Sequence, residues 1–290
     1  MINARHIAFG LSTVLGIRKR GWFIPYRYAD DPNYSAAGAY PEIRTCFEGC
    51  AAQLGAVLDR IENHAAALTA IDGGPPPAPR FDQDWFPRLD AAAAYVLVRD
   101  CRPRRIVEVG SGHSTRFLAR AVRDGSLDTE LTVIDPKPRA AIDGLADRAR
   151  RDTLQAVGPA AFGGLQSGDM VFVDSSHILM PGSDVDIMLN RVLPTLPAGV
   201  LVHFHDIFLP DAYPDHWLWR GYNEQQAVGA LLAGGGYDLV FASHYVVTAM
   251  ADRIEDTVLS RLPLLPGAYE SSLWLRKRDA DSAEAGSAGV

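Results

Sequence analysis

The stretch Arg104-Arg105-Ile106-Val107-Glu108-Val109-Gly110-Ser111-Gly112-His113-Ser114-Thr115-Arg116-Phe117-Leu118-Ala119 constrains this chain more than any other. Residues 106–109 read as a short buried strand. Gly110 and Gly112 break it, because glycine allows turns and close backbone approach that other residues resist. Residues 116–123 read as a helix, which Ser114 or Thr115 can cap. A strand, a glycine turn and a helix N-terminus together make a nucleotide-cofactor cradle. A dinucleotide site wants a third glycine where Thr115 stands. That substitution disfavours a nicotinamide-dependent oxidoreductase.

Further strand and helix signals lie downstream. Residues 131–134 read as a second strand ending in Asp135, an acid placed to accept both hydroxyls of a ribose. A helix is expected within 140–150 and a weak third strand at 153–157. Residues 170–173 form a continuous apolar run, the pattern of a central parallel strand. It delivers Asp174, Ser175, Ser176 and His177 to the sheet edge where ligands bind in open α/β sheets. A helix is expected at 185–192. Residues 200–206 read as the fifth strand. Its His203 and His205 face one side, and Asp206 faces the other unless the strand has ended. At least one of His205 and Asp206 is expected in an active site. Residues 207–220, rich in proline and aromatics, read as a loop over the sheet edge that can grip a substrate, or as a flap or oligomer contact. A helix at 223–232 and a strand at 238–247 carrying His244 and Tyr245 come next. A last strand at 271–276 can pair antiparallel with it. The expected fold is α/β: a Rossmann-like, doubly wound, mostly parallel seven-stranded sheet with an antiparallel last strand and an N-terminal helical extension.

The expected organisation is a helical extension over 1–80, a catalytic domain over 81–278 and a disordered tail over 279–290. Residues 7–17 are mostly apolar and precede Arg18-Lys19-Arg20 and Trp22-Phe23. The run is too short to span a bilayer, and its basic cluster comes after it rather than before, against a signal peptide. The favoured expectation is a helix packed on the core or on a second subunit, giving a candidate homodimer. The alternative is a membrane-surface anchor. Tyr26, Tyr28, Tyr34 and Tyr40 line a substrate lid or cover the core. Residues 41–71 read as one helix, stopped by the Gly/Pro-rich 72–79, and 84–100 holds another.

The net charge of -7 argues against nucleic acid as a partner. Cys46, Cys50 and Cys101 are the only cysteines, an odd and sparse set with no disulfide framework and no zinc pattern. A reducing, cytoplasmic setting fits that usage.

Taken together, Glu108-x-Gly110-x-Gly112, Asp135, Val171-Phe172-Val173-Asp174 and Val202-His203-Phe204-His205-Asp206 resemble class I S-adenosylmethionine (SAM) methyltransferases over about residues 85–277. Val173-Asp174-Ser175-Ser176-His177 and the stretch from His203 to Pro210 also resemble a bacterial group acting on small molecules. The resemblance implies a SAM cradle of Glu108, Gly110, Ser111, Gly112, Ser114, Thr115, Asp135 and Asp174, with Ser114 standing where the family often has glycine. It leaves the adenine contact unassigned. The motif order is similar to the catechol O-methyltransferase type, which implies a divalent metal at Asp174, His205 and Asp206. Histidine replaces a carboxylate there, and imidazole is a poor partner for Mg²⁺. A neutral histidine suits removal of a hydroxyl proton, so His205, then His177, is the expected base, with Asp206 orienting it. A SAM enzyme of other chemistry (N-methylation or cyclisation) and a catalytically silent interaction module are the alternatives.

Overall fold

A computed structural model describes residues 4–29 and 38–279 of the chain. Tyr34 and nearly all of the expected tail lie outside the described residues.

Seven strands form one sheet: β1 (Arg105–Val109), β2 (Glu130–Ile134), β3 (Arg148–Arg150), β4 (Met170–Val173), β5 (Leu201–Phe204), β6 (Tyr237–Ala242) and β7 (Leu273–Lys277), in the order β3-β2-β1-β4-β5-β7-β6. From β3 to β5 the pairing is parallel, and β7 inserts antiparallel between β5 and β6. Every residue of β4 and β5 is buried, as expected where helices cover both faces. The register explains where the chemistry sits. Val109 pairs with Ile134 and with Val173, and Val173 pairs with Phe204. The next residue on each strand is Gly110, Asp135, Asp174 and His205. One row across the sheet's C-terminal edge therefore holds all four.

The chain's helices include α1 (Ala4–Val14), which stands outside the core, and α2 (Pro41–Glu48), α3 (Ala51–Asn63), α4 (Ala65–Thr69), α5 (Arg88–Cys101), α6 (His113–Asp124), α7 (Leu154–Val157), α8 (Asp184–Ile187), α9 (Glu224–Ala233) and α10 (Ser243–Ala249). The single helix expected over 41–71 is broken into three, because Cys50 and His64 leave helical geometry at the junctions. Its apolar face is as read: Leu54, Val57, Leu58 and Ile61 of α3 join the same hydrophobic cluster as the sheet. The free thiols of Cys46 and Cys50 are only partly buried.

Three further expectations are corrected. No helix lies within 140–150. The third strand is Arg148–Arg150, while the stretch read as a strand at 153–157 is the short helix α7, capped by the Thr153 hydroxyl accepting from Ala156 N. An Arg-Ala-Arg edge strand lacks the apolar run that marks a buried one, and charge on an edge guards it against further pairing. The strand expected at 238–247 stops at Ala242, opposite Leu273, the first residue of β7. One more backbone bond follows, from Ser243 N to Ser272 O at 2.8 Å, and Ser243 then begins α10, so His244 and Tyr245 are helical. Helix α1 buries none of its residues within the single chain, which leaves a second subunit or a membrane surface, of the alternatives read for it, to cover it. Among the described residues no helix is long and apolar enough to cross a membrane.

Candidate active site

The turn after β1 is shaped by contact with β4. Gly110 has φ +81°, and a Cβ placed there would lie 1.7 Å from the Asp174 carbonyl oxygen. Gly110→Ala is therefore expected to push the turn off β4 and to destabilise the fold by more than the roughly 1–2 kcal/mol that left-handed backbone costs an L-residue. Denaturant unfolding of the variant measures this. Ser111 donates from its backbone N and its hydroxyl to Asp135 Oδ2, each at 2.8 Å, while Lys137 N donates to Oδ1 at 2.7 Å. Asp135 thus ties the first cradle turn to the end of β2.

Glu108 is fully buried under this turn. It accepts from Ser114 Oγ at 2.6 Å and from Thr115 Oγ1 at 2.7 Å, and Thr115 Oγ1 accepts in turn from Gly112 N at 3.0 Å. Burial pushes the Glu108 carboxyl up to about 8, against the lowering effect of the two hydroxyls. The hydroxyls of Ser114 and Thr115 are therefore spent on Glu108, and Thr115 is engaged where a dinucleotide fold would pack glycine. Helix α6 begins at His113, three residues earlier than expected.

A cavity of about 450 Å³ opens above this edge, lined by Gly110, Ser111, Asp135, Asp174 and Ser175 among others. Glu108, Gly112, Ser114 and Thr115 do not line it; they hold the turn from beneath. Thr153, Leu154 and Gln155 form part of the wall, a stretch for which the sequence suggested no ligand contact. A second cavity of about 180 Å³ adjoins it, lined by Asp174, His177, His205, Asp206, Trp217, Arg220, Tyr222 and Tyr269 among others. Asp174 and Arg139 line both cavities.

The histidine-acid cluster stands at this shared wall. His177 Nε2 lies 3.3 Å from Asp174 Oδ1 and 3.5 Å from Asp206 Oδ2, and its Nδ1 lies 2.9 Å from Glu224 Oε2. His205 mirrors it. Its Nδ1 lies 3.6 Å from Asp174 Oδ1 and 3.5 Å from Asp206 Oδ1, and its Nε2 lies 3.2 Å from Asp90 Oδ2. Asp206 reaches the cluster because β5 has ended at Phe204 and its own φ is +56°; His177 has φ +58°. Non-glycine residues in this conformation concentrate at functional sites.

Burial works against charge on the His205 ring, but the Asp174 and Asp206 carboxylates, with hydrogen bonds to Asp174 and Asp90, hold it well above the usual histidine range. Burial likewise opposes charge on His177, and Asp174, Glu224 and Asp206 together raise it in the same way. Burial pushes the Asp174 carboxyl up, yet the two imidazoles hold it well below the carboxylate range. Four carboxylates face the pair and favour the protonated rings more than in an ordinary histidine, so the neutral form that a base needs is reached only at higher pH. His203 shares the His205 side of the strand, as read, but stacks on Phe172 at 3.6 Å and contacts Ser272 Oγ at 2.8 Å within the core.

Asp90 on α5 and Glu224 at the start of α9 were missed. Asp90 is fully buried and also accepts from Ser271 N at 3.0 Å and Ser272 N at 2.9 Å. A lone acid inside the apolar run from Leu89 to Val98 was its only signal. Glu224 reads from sequence as an ordinary acid in a first helical turn, and among the described residues its Oε1 has no hydrogen-bond partner. Tyr26 and Tyr28 are exposed and line neither cavity, against the lid reading.

The implied metal finds no fit in this arrangement. Among the described residues, no group of three or more His, Cys, Asp or Glu side chains forms a set that could hold a metal ion.

Residues 107–207 match a family described as "Methyltransferase domain". No curated protein matches the chain. Solved structures similar to it include the SAH-bound methyltransferase PaMTH1 of Podospora anserina (21% identity, 89% of this chain and 100% of that one, TM-score 0.40). Another is the SAM-bound O-methyltransferase TomG of Streptomyces achromogenes, involved in tomaymycin synthesis (19% identity, 76% and 90%, TM-score 0.41). A third is an O-methyltransferase of Bacillus cereus with SAH (12% identity, 77% and 91%, TM-score 0.40).

Proposed function

We propose that this chain, in which residues 107–207 carry the methyltransferase-domain match, transfers a methyl group from SAM to a hydroxyl of a small-molecule acceptor. The observation that carries the reading is the wall between the two cavities. The larger cavity, about 450 Å³, sits on the Gly110 turn and Asp135; the smaller holds the imidazoles, and Asp174 belongs to both. A cofactor in the first and an acceptor in the second would meet there.

SAM supplies an electrophilic methyl group when bound, and the protein's task is then to position a nucleophile and move a proton. Gly110, Ser111 and Asp135 would hold the cofactor, with Asp135 sharing its carboxylate between the turn and a ribose. His205 is the nominated base. Asp90 faces Nε2 and retains its proton, which leaves Nδ1 to accept the proton of the acceptor hydroxyl, a carboxylate-histidine arrangement of known efficacy. His177 repeats the pattern with Glu224 and serves as second base, and Asp206 bridges the two rings.

The pH dependence has a definite sign. A base acts unprotonated, and both rings are raised above the ordinary value of 6.5. Turnover at saturating cofactor is therefore expected to rise with pH on a limb lying above 6.5. Glu224→Gln removes one facing charge while keeping an oxygen for His177 Nδ1, and its amide can occupy the unpartnered Oε1 position. Because Glu224 faces His177 and not His205, the limb should stay in place in this variant if His205 is the base, and move to lower pH if His177 is. A limb at or below the ordinary histidine value in the parent protein would contradict the electrostatic picture.

Calorimetric titration of SAM and S-adenosylhomocysteine tests the cofactor. Micromolar binding, with saturable transfer of a labelled methyl group to hydroxyl acceptors, is the expected result. The absence of binding by either ligand would remove the methyltransferase reading and favour an interaction module. Transfer only to amines would favour the second reading, SAM chemistry at nitrogen.

A further inference from the structure

We propose that the segment 4–29 docks this protein on an anionic membrane surface, with the rims of both cavities against the lipid. The inference goes beyond methyl transfer and does not rest on it.

The distribution of exposed apolar side chains points there. In segment 4–29 Ile7, Leu11, Val14, Leu15, Ile17, Trp22, Phe23, Ile24, Tyr26 and Tyr28 are all exposed, from 47% at Trp22 to 76% at Ile17. Ile7, Leu11, Val14 and Leu15 lie at helical spacing and make one stripe. The other exposed large apolar residues among those described are Trp85, Leu218, Trp219, Leu264 and Leu265. Trp85 lines the smaller cavity, Leu218 and Trp219 lie between its lining residues Trp217 and Arg220, and Leu264 and Leu265 precede its lining residue Gly267. Trp22 lines the larger cavity. His6 meets Trp219 with ring centroids 5.0 Å apart, which joins the segment to that rim. Exposed apolar side chains gathered on one segment and at the rims of both cavities mark an interaction site.

Charge selects the occupant. Segment 4–29 contains five Arg or Lys residues and no acid, in a chain of net charge -7. Its cations lie over its aromatic rings: Lys19 on Trp22 at 5.3 Å, Arg20 on Phe9 at 5.3 Å and Arg27 on Tyr28 at 5.6 Å. Aromatic bodies interleaved with cations suit the headgroup region, where rings bury and cations meet lipid phosphates. The consecutive exposed residues Trp22, Phe23 and Ile24 cannot all enter a groove that reads one face of a helix. They can all enter a lipid interface. With no spanning helix among the described residues, the contact lies on the surface.

The test is flotation of the full chain with vesicles of phosphatidylcholine alone and of phosphatidylcholine mixed with phosphatidylglycerol. The expected result is binding to the mixed vesicles and its loss at high salt. Replacing Arg18, Lys19 and Arg20 with Gln should lower partitioning roughly 100-fold. The L11E/L15E/F23E variant should abolish it with an unchanged thermal melt, since none of these side chains is buried. No binding to mixed vesicles at low salt would overturn the proposal. So would absent vesicle binding together with a doubled solution mass that reverts to monomer in the L11E/L15E/F23E variant, which would make a second copy the occupant.

Discussion

His205→Ala is expected to cut turnover by about 10²–10⁴-fold, the range that a positioned general base contributes, while SAM affinity stays near that of the parent protein. The separation comes from geometry. Among these two cavities His205 lines only the smaller, while Gly110, Ser111 and Asp135, at the ends of other strands, line the larger, proposed for the cofactor. Steady-state turnover paired with calorimetry reads both quantities on one preparation. Turnover that survives unchanged would remove His205 as base and transfer the role to His177, whose Nε2 faces the same two carboxylates at 3.3 and 3.5 Å.

Asp90→Ala should be the most destabilising single change at the site, by about 3–5 kcal/mol, the cost of removing one partner of a buried charged pair. Three donors lose their acceptor at once: Ser271 N, Ser272 N and His205 Nε2. Two of these are backbone groups at the entry to β7, so the antiparallel insertion loosens together with His205. Denaturant unfolding measures the loss. A variant as stable as the parent would show that water replaces the carboxylate. Asp90 lies outside the stretch matched by the methyltransferase-domain family, so this dependence belongs to the fold around that domain.

The contrast between these two residues shows what local pattern can carry. His205, Asp174, Asp135 and Gly110 were legible because each comes directly after a short apolar strand, and strand ends in a parallel sheet share one edge by register. Asp206 was half legible: its neighbourhood was evident, its direction was not, since that turns on a φ of +56° just beyond the end of the strand. Asp90 and Glu224 were not legible, because an acid's partner 115 or 47 residues away leaves no trace in its own surroundings. The same limit explains Glu108. Its place before the glycines marked it as a cofactor residue, whereas its full burial makes it the acceptor that fixes Ser114 and Thr115. The misread elements 140–150, 153–157 and 243–247 are short edge or capping segments, where tertiary partners outweigh period.

By itself the sequence determined the alternation of strands and helices, the glycine turn, the antiparallel closing strand and the row of residues at the sheet edge. These are set by side-chain period and backbone sterics, which act over a few residues. Only the tertiary structure decided which charges face the histidines, the pairing of each with a distant carboxylate and the exposure of segment 4–29. Those depend on burial and on charges brought together from elements far apart in the chain, and neither quantity is defined until the chain has folded.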